Sequence, residues 1–98
     1  MTYALEFSED AERHLSLLGA RQRAILLDSL EVQLAHQPTV ATRQRKLLRV
    51  NPLAAWELRV GHLRVFYNVE DDQAIVIIVA IGTKVRNVLL IEGKEYIL

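Results

Sequence analysis

Apolar residues occupy every second position at the start of the chain. Tyr3, Leu5 and Phe7 alternate with small or polar residues, and this period of two is typical of a strand. We therefore expect a short first strand that ends before Ser8.

A longer periodicity follows and predicts two helices. Ser8 and the two acidic residues after it suit a helix N-terminus, where a hydroxyl caps the first turn and carboxylates meet the positive end of the helix dipole. The first helix is expected over residues 9–18, ended by Gly19. The second is expected over residues 20–36, because Pro38 forbids further helix. Because the loop between the two predicted helices is so short, we expect them to form an antiparallel helical hairpin. The buried stripe of the second helix is expected at Leu26, Leu27, Leu30 and Leu34.

The second half of the chain has the periodicity of strands. Residues 56–60 and 63–69 alternate apolar and polar positions on either side of Gly61 and His62, which suit a two-residue hairpin loop with glycine first. The apolar run at residues 74–81 is rich in β-branched side chains and predicts a central strand covered on both faces.

The order strand, helix, helix and three-strand meander predicts an α+β fold, with the helical hairpin on one face of an antiparallel sheet. The whole of residues 1–98 is expected to form a single domain. For the tail, residues 83–98, the pattern leaves open a further strand at VLLI and a short turn or helix at GKEYIL.

The register of the hairpin determines which side chains share a face. It places Arg59 opposite Arg64, with Glu57 and Phe66 on the same face, away from the helices. Two arginines directly opposite each other repel, so the pair favours an anion nearby, and a phosphate backbone with a base on the aromatic ring would suit them. The alternative is a solvated face on which Glu57 and the acidic tail neutralise both arginines. The opposite, helix-facing side is expected to carry Trp56, Leu58, Val60, Leu63, Val65 and Tyr67.

The charge of the chain is balanced in total but uneven along its length. Twelve Lys and Arg residues match twelve Asp and Glu residues, yet residues 43–50 contain Arg43, Arg45, Lys46 and Arg49 and no acid. This basic loop is expected to dock RNA phosphates or an acidic partner protein, or else to be simply solvated.

The composition excludes several classes of site. There is no cysteine, hence no disulfide, thiolate metal site or cysteine nucleophile, and a reducing compartment is favoured. We expect no secretory signal, because the N-terminal residues have neither a basic start nor an apolar run, and no membrane span, because no apolar segment reaches the roughly 20 residues needed. We therefore expect a soluble, cytoplasmic protein. Three scattered histidines predict no metal site, and no motif indicates a cofactor. His14 and His36 are expected at the surface or at helix ends.

The resemblance to a known family lies in WELRVGHLRVFYNVEDDQAIVIIVAIGTK (56–84). This segment resembles the RelE/ParE superfamily of type II toxin–antitoxin systems, whose toxins share an R-x-G-x-x-R-V-x-Y hairpin, an acidic turn, and an apolar strand ending in glycine and a basic residue. The N-terminal Y-x-x-x-F-S-x-x-A fits the same pattern, and residues 38–69 resemble a RelE-like addiction-module subgroup. The resemblance implies a RelE-like fold of the microbial ribonuclease type.

The resemblance implies three alternative functions. One is a ribosome-dependent endoribonuclease that inhibits translation by cutting mRNA without a metal, through attack of a ribose 2′-hydroxyl on the adjoining phosphate. Another is a ParE-like toxin that poisons DNA gyrase. The third is an inactive homologue that only binds an antitoxin. The implied partners are a cognate antitoxin, acidic and partly disordered, with the ribosome and mRNA or else gyrase.

The resemblance also implies roles for particular residues. Arg64 stands at the family's phosphate-contacting arginine, and Lys84 stands where a second catalytic arginine is usual, with Arg86 two residues further on. The family's catalytic tyrosine falls at Leu90, and its two lysines before the hairpin fall at Ala55 and Glu57. The glutamate and terminal histidine that a related branch uses have no match, although Tyr96 or His62 could substitute for them spatially.

Overall fold

The computed structural model describes residues 2–98 and has the α+β architecture expected from the sequence. The elements in chain order are β1 (Ala4–Phe7), α1 (Glu9–Ser16), α2 (Ala20–Leu34), β2 (Arg45–Leu47), β3 (Trp56–Val60), β4 (Leu63–Glu70), a 3-10 turn (Asp71–Gln73), β5 (Ile75–Val85), β6 (Val88–Ile91) and β7 (Lys94–Glu95). Neither helix of this part of the chain has the length and apolar character that crossing a bilayer requires.

The long strand β5 lies at the centre of the sheet. Strand β4 pairs with it antiparallel along almost its whole length, and the order across the sheet is β2-β3-β4-β5-β6-β7. On the other side of β5, β1 pairs parallel with its beginning and β6 pairs antiparallel with its end. The three-strand meander predicted from the periodicity is therefore confirmed as β3-β4-β5, within a larger sheet.

The helical hairpin also agrees with its prediction, although both helices end about two residues early. The Ser8 hydroxyl accepts a hydrogen bond from the backbone N–H of Ala11 at 3.0 Å and caps α1. In α2, Leu26, Leu30 and Leu34 are fully buried. Leu27 was expected in this stripe but is 38% exposed, because the four-residue spacing of the buried leucines turns it away from the sheet.

His14 corrects another expectation, since its side chain is only 6% exposed. Its spacing of three from the buried Ala11 places it on the face of α1 that packs on β5. The backbone N–H of Ile81 donates to His14 Nδ1 at 3.1 Å, so the other ring nitrogen, Nε2, donates to Glu92 Oε1 at 2.9 Å. Both ring nitrogens are thus satisfied inside the fold.

The main core lies between the helices and the sheet. The rings of Trp56 and Tyr67 stack with their centroids 6.1 Å apart, and the Tyr67 hydroxyl donates to the Pro38 carbonyl at 2.7 Å. Burial of the Tyr67 hydroxyl raises its pKa strongly. The buried members of this core are Ala11, Leu26, Leu30, Leu34, Trp56, Leu58, Leu63, Val65, Tyr67, Val76, Ile78 and Ile81.

A second, smaller core covers part of the opposite face of the sheet. Its buried members are Ala54, Phe66, Ala80 and Leu89. The loop between β2 and β3 and the hairpin of β6 and β7 pack over them, with Leu53 and Tyr96 among the partly buried neighbours. In the tail, the strand expected at VLLI is confirmed as β6. Of the short turn or helix expected at GKEYIL, the structure has the turn, at Gly93, followed by the two-residue strand β7.

Candidate functional site

Five cationic side chains line one hollow of about 320 Å³ on the sheet face away from the helices. Lys46 comes from β2, Arg49 from the loop that follows it, Arg59 from β3, Arg64 from β4 and Lys84 from β5. They meet because side chains at alternate positions of neighbouring strands project from the same face. We refer to this group of five as the cationic hollow.

The strand register brings Arg59 and Arg64 directly opposite each other, as the hairpin pattern predicts. On the next strand, β5, Arg64 lies beside Gly82, which has no side chain. A Cβ at Gly82 would approach the Leu90 carbonyl oxygen to 2.8 Å, so β6 requires glycine there.

Arg64 is held in place by the hairpin turn. Its side chain is 9% exposed, and Nη1 donates to the carbonyl oxygens of Gly61 at 2.8 Å and Leu63 at 2.9 Å. Burial lowers the pKa of Arg64, the charge of Arg59 lowers it further, and Glu57 opposes this shift. An arginine nonetheless remains charged in a protein, so Arg64 presents a fixed, poorly solvated cation.

None of the five cations of the hollow is paired with an acid within residues 2–98. The ion pairs with nitrogen and oxygen within 4.0 Å join Arg13 to Asp10, Arg13 to Glu92 and His14 to Glu92. None of these residues lines the cationic hollow. Glu57 lines the hollow but lies within 4.0 Å of no cationic nitrogen. No cation of the hollow is thus held in a close ion pair, although the charge of Glu57 still acts on Arg64, and the cations remain available to an external anion.

Two side chains expected to contact RNA are buried, and the structure corrects their placement. Arg45 is 9% exposed and faces the helices, donating from Nε to the Val40 carbonyl at 2.9 Å and from Nη1 to the carbonyl and Oε1 of Gln33 at 2.7 and 3.0 Å. Phe66 is on the expected face but is 0% exposed within the second core. Neither side chain can reach a ligand while these elements stay packed.

Two other expected site residues lie apart from the cationic hollow. Arg43 is exposed in the loop before β2, and Arg86 is exposed at the turn between β5 and β6, where its φ is 51°. His62 is likewise exposed, at the tip of the β3–β4 hairpin, and does not line the cationic hollow.

A second hollow, of about 260 Å³, adjoins the cationic one and shares Glu57 and Lys84 with it. Tyr96 also lines this second hollow, held by a hydrogen bond from its backbone N–H to the Leu89 carbonyl at 2.9 Å. The sequence pattern predicted Glu57 as a neutralising charge, and the family resemblance put one of the family's lysines at its position. The feature of the sequence that could have identified Glu57 as a site residue is the strand register, which places it on the same face as Arg59 and Arg64.

Comparison with known proteins gives one family and several similar structures. The family model described as the ParE toxin of the type II toxin–antitoxin system parDE matches residues 3–88. A chain of the toxin–antitoxin complex RelBE2 from Mycobacterium tuberculosis is 25% identical, with a TM-score of 0.70 over 85% of this chain and 99% of that one. The isolated E. coli RelE toxin is 27% identical, with a TM-score of 0.68 over 86% of each chain.

A chain of the archaeal RelE–RelB complex from Pyrococcus horikoshii is 21% identical, with a TM-score of 0.65 over 88% of this chain and 99% of that one, and supports the fold alone. No curated protein sequence matches the chain.

Proposed function

The chain belongs to the ParE toxin family of type II toxin–antitoxin systems, and on this premise we propose that it is a ribosome-dependent endoribonuclease that inhibits translation by cutting mRNA. The observation that carries this proposal is the cationic hollow, in which five unpaired cations converge. RNA backbones are bound chiefly through such cation–phosphate contacts. The similarity to RelE structures at 25% and 27% identity supports the same assignment.

The proposed reaction is attack of a ribose 2′-hydroxyl on the adjoining phosphate. Negative charge gathers on the phosphate oxygens in the transition state, and preorganised donors in a poorly solvated site stabilise it. In this proposal the scissile phosphate is contacted by Arg64, which the hairpin turn fixes, and by Lys84, which lies two residues beyond Gly82 on the neighbouring strand β5. In the same proposal Arg59, Lys46 and Arg49, which also line the hollow, bind flanking phosphates.

A second candidate function is poisoning of DNA gyrase without cleavage of RNA. The description of the matched family, the ParE toxin of parDE, favours it. In that case the cationic hollow would bind an acidic or phosphate-bearing surface and would need no group for proton transfer.

The proposed partner under either function is a cognate antitoxin, acidic and partly disordered, that folds over the cationic hollow. The similar structures from M. tuberculosis and P. horikoshii are complexes of toxin and antitoxin. A disordered acidic segment can cover a large cationic surface and order as it binds. Since ribosomes, mRNA and gyrase lie in the cytoplasm, the proposed location is cytoplasmic.

The test is induced expression without the antitoxin, with the 5′ ends of transcripts mapped and gyrase assayed in the same cells. New 5′ ends within translated codons are the expected result. Trapped gyrase–DNA complexes with intact transcripts would support the second candidate instead. Unaffected growth with folded protein present would contradict both.

A further inference from the structure

The central strand β5 has a gap along one of its sides. Strand β1 pairs with it at residues 75–78 and β6 at residues 83–85, so within residues 2–98 no strand flanks the stretch between them on that side. A side chain of α1 takes the place of a strand there. The backbone N–H of Ile81, inside the gap, donates to His14 Nδ1 at 3.1 Å. A buried backbone group that would otherwise lack a partner is thereby satisfied.

His14 also connects β5 to the turn between β6 and β7. In the register of β5 and β6, Thr83 pairs with Leu90, so Ile81 and Glu92 would face each other two positions further along. The two are joined instead through the imidazole of His14, whose Nε2 donates to Glu92 Oε1 at 2.9 Å. We refer to these two hydrogen bonds as the imidazole bridge.

The imidazole bridge requires one form of the histidine ring. Nδ1 accepts a hydrogen bond and must carry no proton, whereas Nε2 donates one and must carry a proton. The side chain is only 6% exposed, so water does not replace either partner. Loss of either bond therefore leaves a buried polar group unsatisfied.

Glu92 occupies a position in the turn that its residue type seldom adopts. Its φ is 53° and that of Gly93 is 77°, in a two-residue turn where asparagine or glycine is usual. The contacts of its side chain with α1 give a physical reason for glutamate here. Besides the bond from His14, its carboxylate accepts one from Arg13 Nε at 2.6 Å. The turn is thus fastened to α1.

The imidazole bridge joins two segments that together line the second hollow. Lys84 of β5 lines both hollows, and β6 and β7 contribute Leu89 and Glu95 to the second one. Strand β6 pairs with β5 at only three positions. The placement of the β6–β7 hairpin relative to Lys84 therefore depends on the bridge as well as on this short ladder. The other four cations of the cationic hollow lie on β2, β3, β4 and the loop after β2, and none of them belongs to the hairpin.

Resting on the proposed function, we propose that His14 is a positioning residue for RNA cleavage. It holds the β6–β7 hairpin against β5 and so sets the second hollow relative to Lys84. His14 lines neither of these two hollows and acts through Ile81 and Glu92. Without the bridge the remaining cations still bind RNA phosphates, but the strand is held in a geometry that reacts poorly. Its loss therefore lowers the rate of cleavage more than the affinity for RNA.

Three variants separate the imidazole bridge from general stability. His14→Asn keeps an oxygen where Nδ1 accepts from Ile81 but is too short to reach Glu92. Glu92→Gln keeps an acceptor for Nε2 while losing the charge. Arg45→Ala, which breaks hydrogen bonds to α2 and the loop after it, is the control for lost stability alone.

Each variant is measured in three ways. Single-turnover cleavage is followed with ribosomes carrying mRNA, and binding is measured with an mRNA that has a 2′-deoxy nucleotide at the cleavage position and cannot be cut. Hydrogen exchange of the Tyr96 amide, which donates to the Leu89 carbonyl within the hairpin, reports how firmly the hairpin is held. In the wild type, the ¹⁵N NMR signals of the His14 ring identify which nitrogen carries the proton.

His14→Asn is expected to stay folded and to cut mRNA about 10²-fold more slowly, as when a reacting group is misplaced by roughly 1 Å. Its binding of the 2′-deoxy mRNA should change little, and exchange of its Tyr96 amide should be faster. Glu92→Gln and Arg45→Ala should cut at the wild-type rate per folded molecule. The NMR signals should show a bare Nδ1 and a protonated Nε2.

Wild-type cleavage by His14→Asn, or a proton on Nδ1, would overturn the assignment of His14 and leave the proposed function standing. Rate losses that follow the loss of stability in all three variants would overturn it too, because they would show a purely structural role. If the wild-type toxin cuts no mRNA, the proposed function fails, and the role of His14 in cleavage with it. Exchange of the Tyr96 amide then still decides whether the bridge holds the hairpin.

Discussion

Arg59 and Arg64 lie directly opposite each other on neighbouring antiparallel strands, and within residues 2–98 no carboxylate lies within 4.0 Å of either guanidinium. The charge of Arg59 helps to lower the pKa of Arg64, which is the electrostatic sign of this repulsion. A phosphate between the two side chains would relieve it. The arrangement is thus unfavourable in the free protein and favourable in a complex, as expected of a binding site.

Replacing Arg59 should separate stability from binding. Arg59→Gln removes one of two like charges on a cross-strand pair, so the free energy of unfolding should rise by about 0.2–1 kcal/mol. Binding should weaken for an mRNA that has a 2′-deoxy nucleotide at the cleavage position and cannot be cut. The slope of log affinity against log salt concentration should become shallower by about the contribution of one phosphate contact. Urea unfolding and binding at several salt concentrations measure the two effects. A variant that is less stable and binds normally would show that Arg59 serves the fold.

Arg64 should be the most sensitive cation for activity. Arg64→Ala is expected to reduce cleavage by about 10²-fold to 10³-fold, as for loss of one donor to a developing oxyanion. Arg64→Lys should rescue little, because an ammonium cannot reproduce the planar set of donors of a guanidinium. Arg43→Ala, at an exposed arginine outside the hollow, is the matched control and should stay fully toxic. The prediction fails if Arg64→Ala remains toxic, or if thermal unfolding shows that it has lost its fold.

Arg45 should matter for the fold and not for RNA. Arg45→Ala leaves the carbonyl oxygens of Gln33 and Val40 without their charged donor, so the free energy of unfolding should fall by about 1.5–3 kcal/mol. Cleavage per folded molecule should stay unchanged. Chemical unfolding and the cleavage rate of the folded fraction test this, with Arg43→Ala again as the control. If Arg45→Ala keeps normal stability but loses cleavage, the prediction is wrong and Arg45 contributes to RNA binding.

The contact between Glu92 and α1 should make stability depend on pH. The hydrogen bond from Arg13 holds the pKa of Glu92 below its ordinary value of 4.5, with smaller help from His14. A carboxyl whose pKa is lowered by folding stabilises the protein above 4.5, and this contribution is lost as the pH falls through the lowered pKa. Glu92→Gln should therefore destabilise the protein at pH 7 and lose its difference from the wild type once the pH falls below the lowered pKa of Glu92. Urea midpoints across this range measure it, and a difference that is the same at every pH would contradict the prediction.

The sequence alone determined the order of the elements, the helical hairpin, and the register of β3 and β4. These features depend on local periods of 2 and 3.6 residues and on turn residues such as Gly61, whose φ of +59° matches the turn expected there. The same register was enough to place Arg59, Arg64 and Glu57 on one face before any tertiary contact was known. The short strand β2 escaped prediction because its three residues lie in a basic stretch with no apolar alternation.

Only the tertiary structure decided which of the expected cations meet and which side chains are covered. Lys46, Arg49 and Lys84 join the arginine pair because β2 and β5 flank the hairpin, whereas Arg45, one residue from Lys46, points to the opposite face and is bonded to α2 and the loop after it. Phe66 alternates like an exposed residue, and its burial depends on distant segments that fold over it. Pairing between strands and the packing of one segment on another depend on residues far apart in the chain, so no local pattern could reveal them.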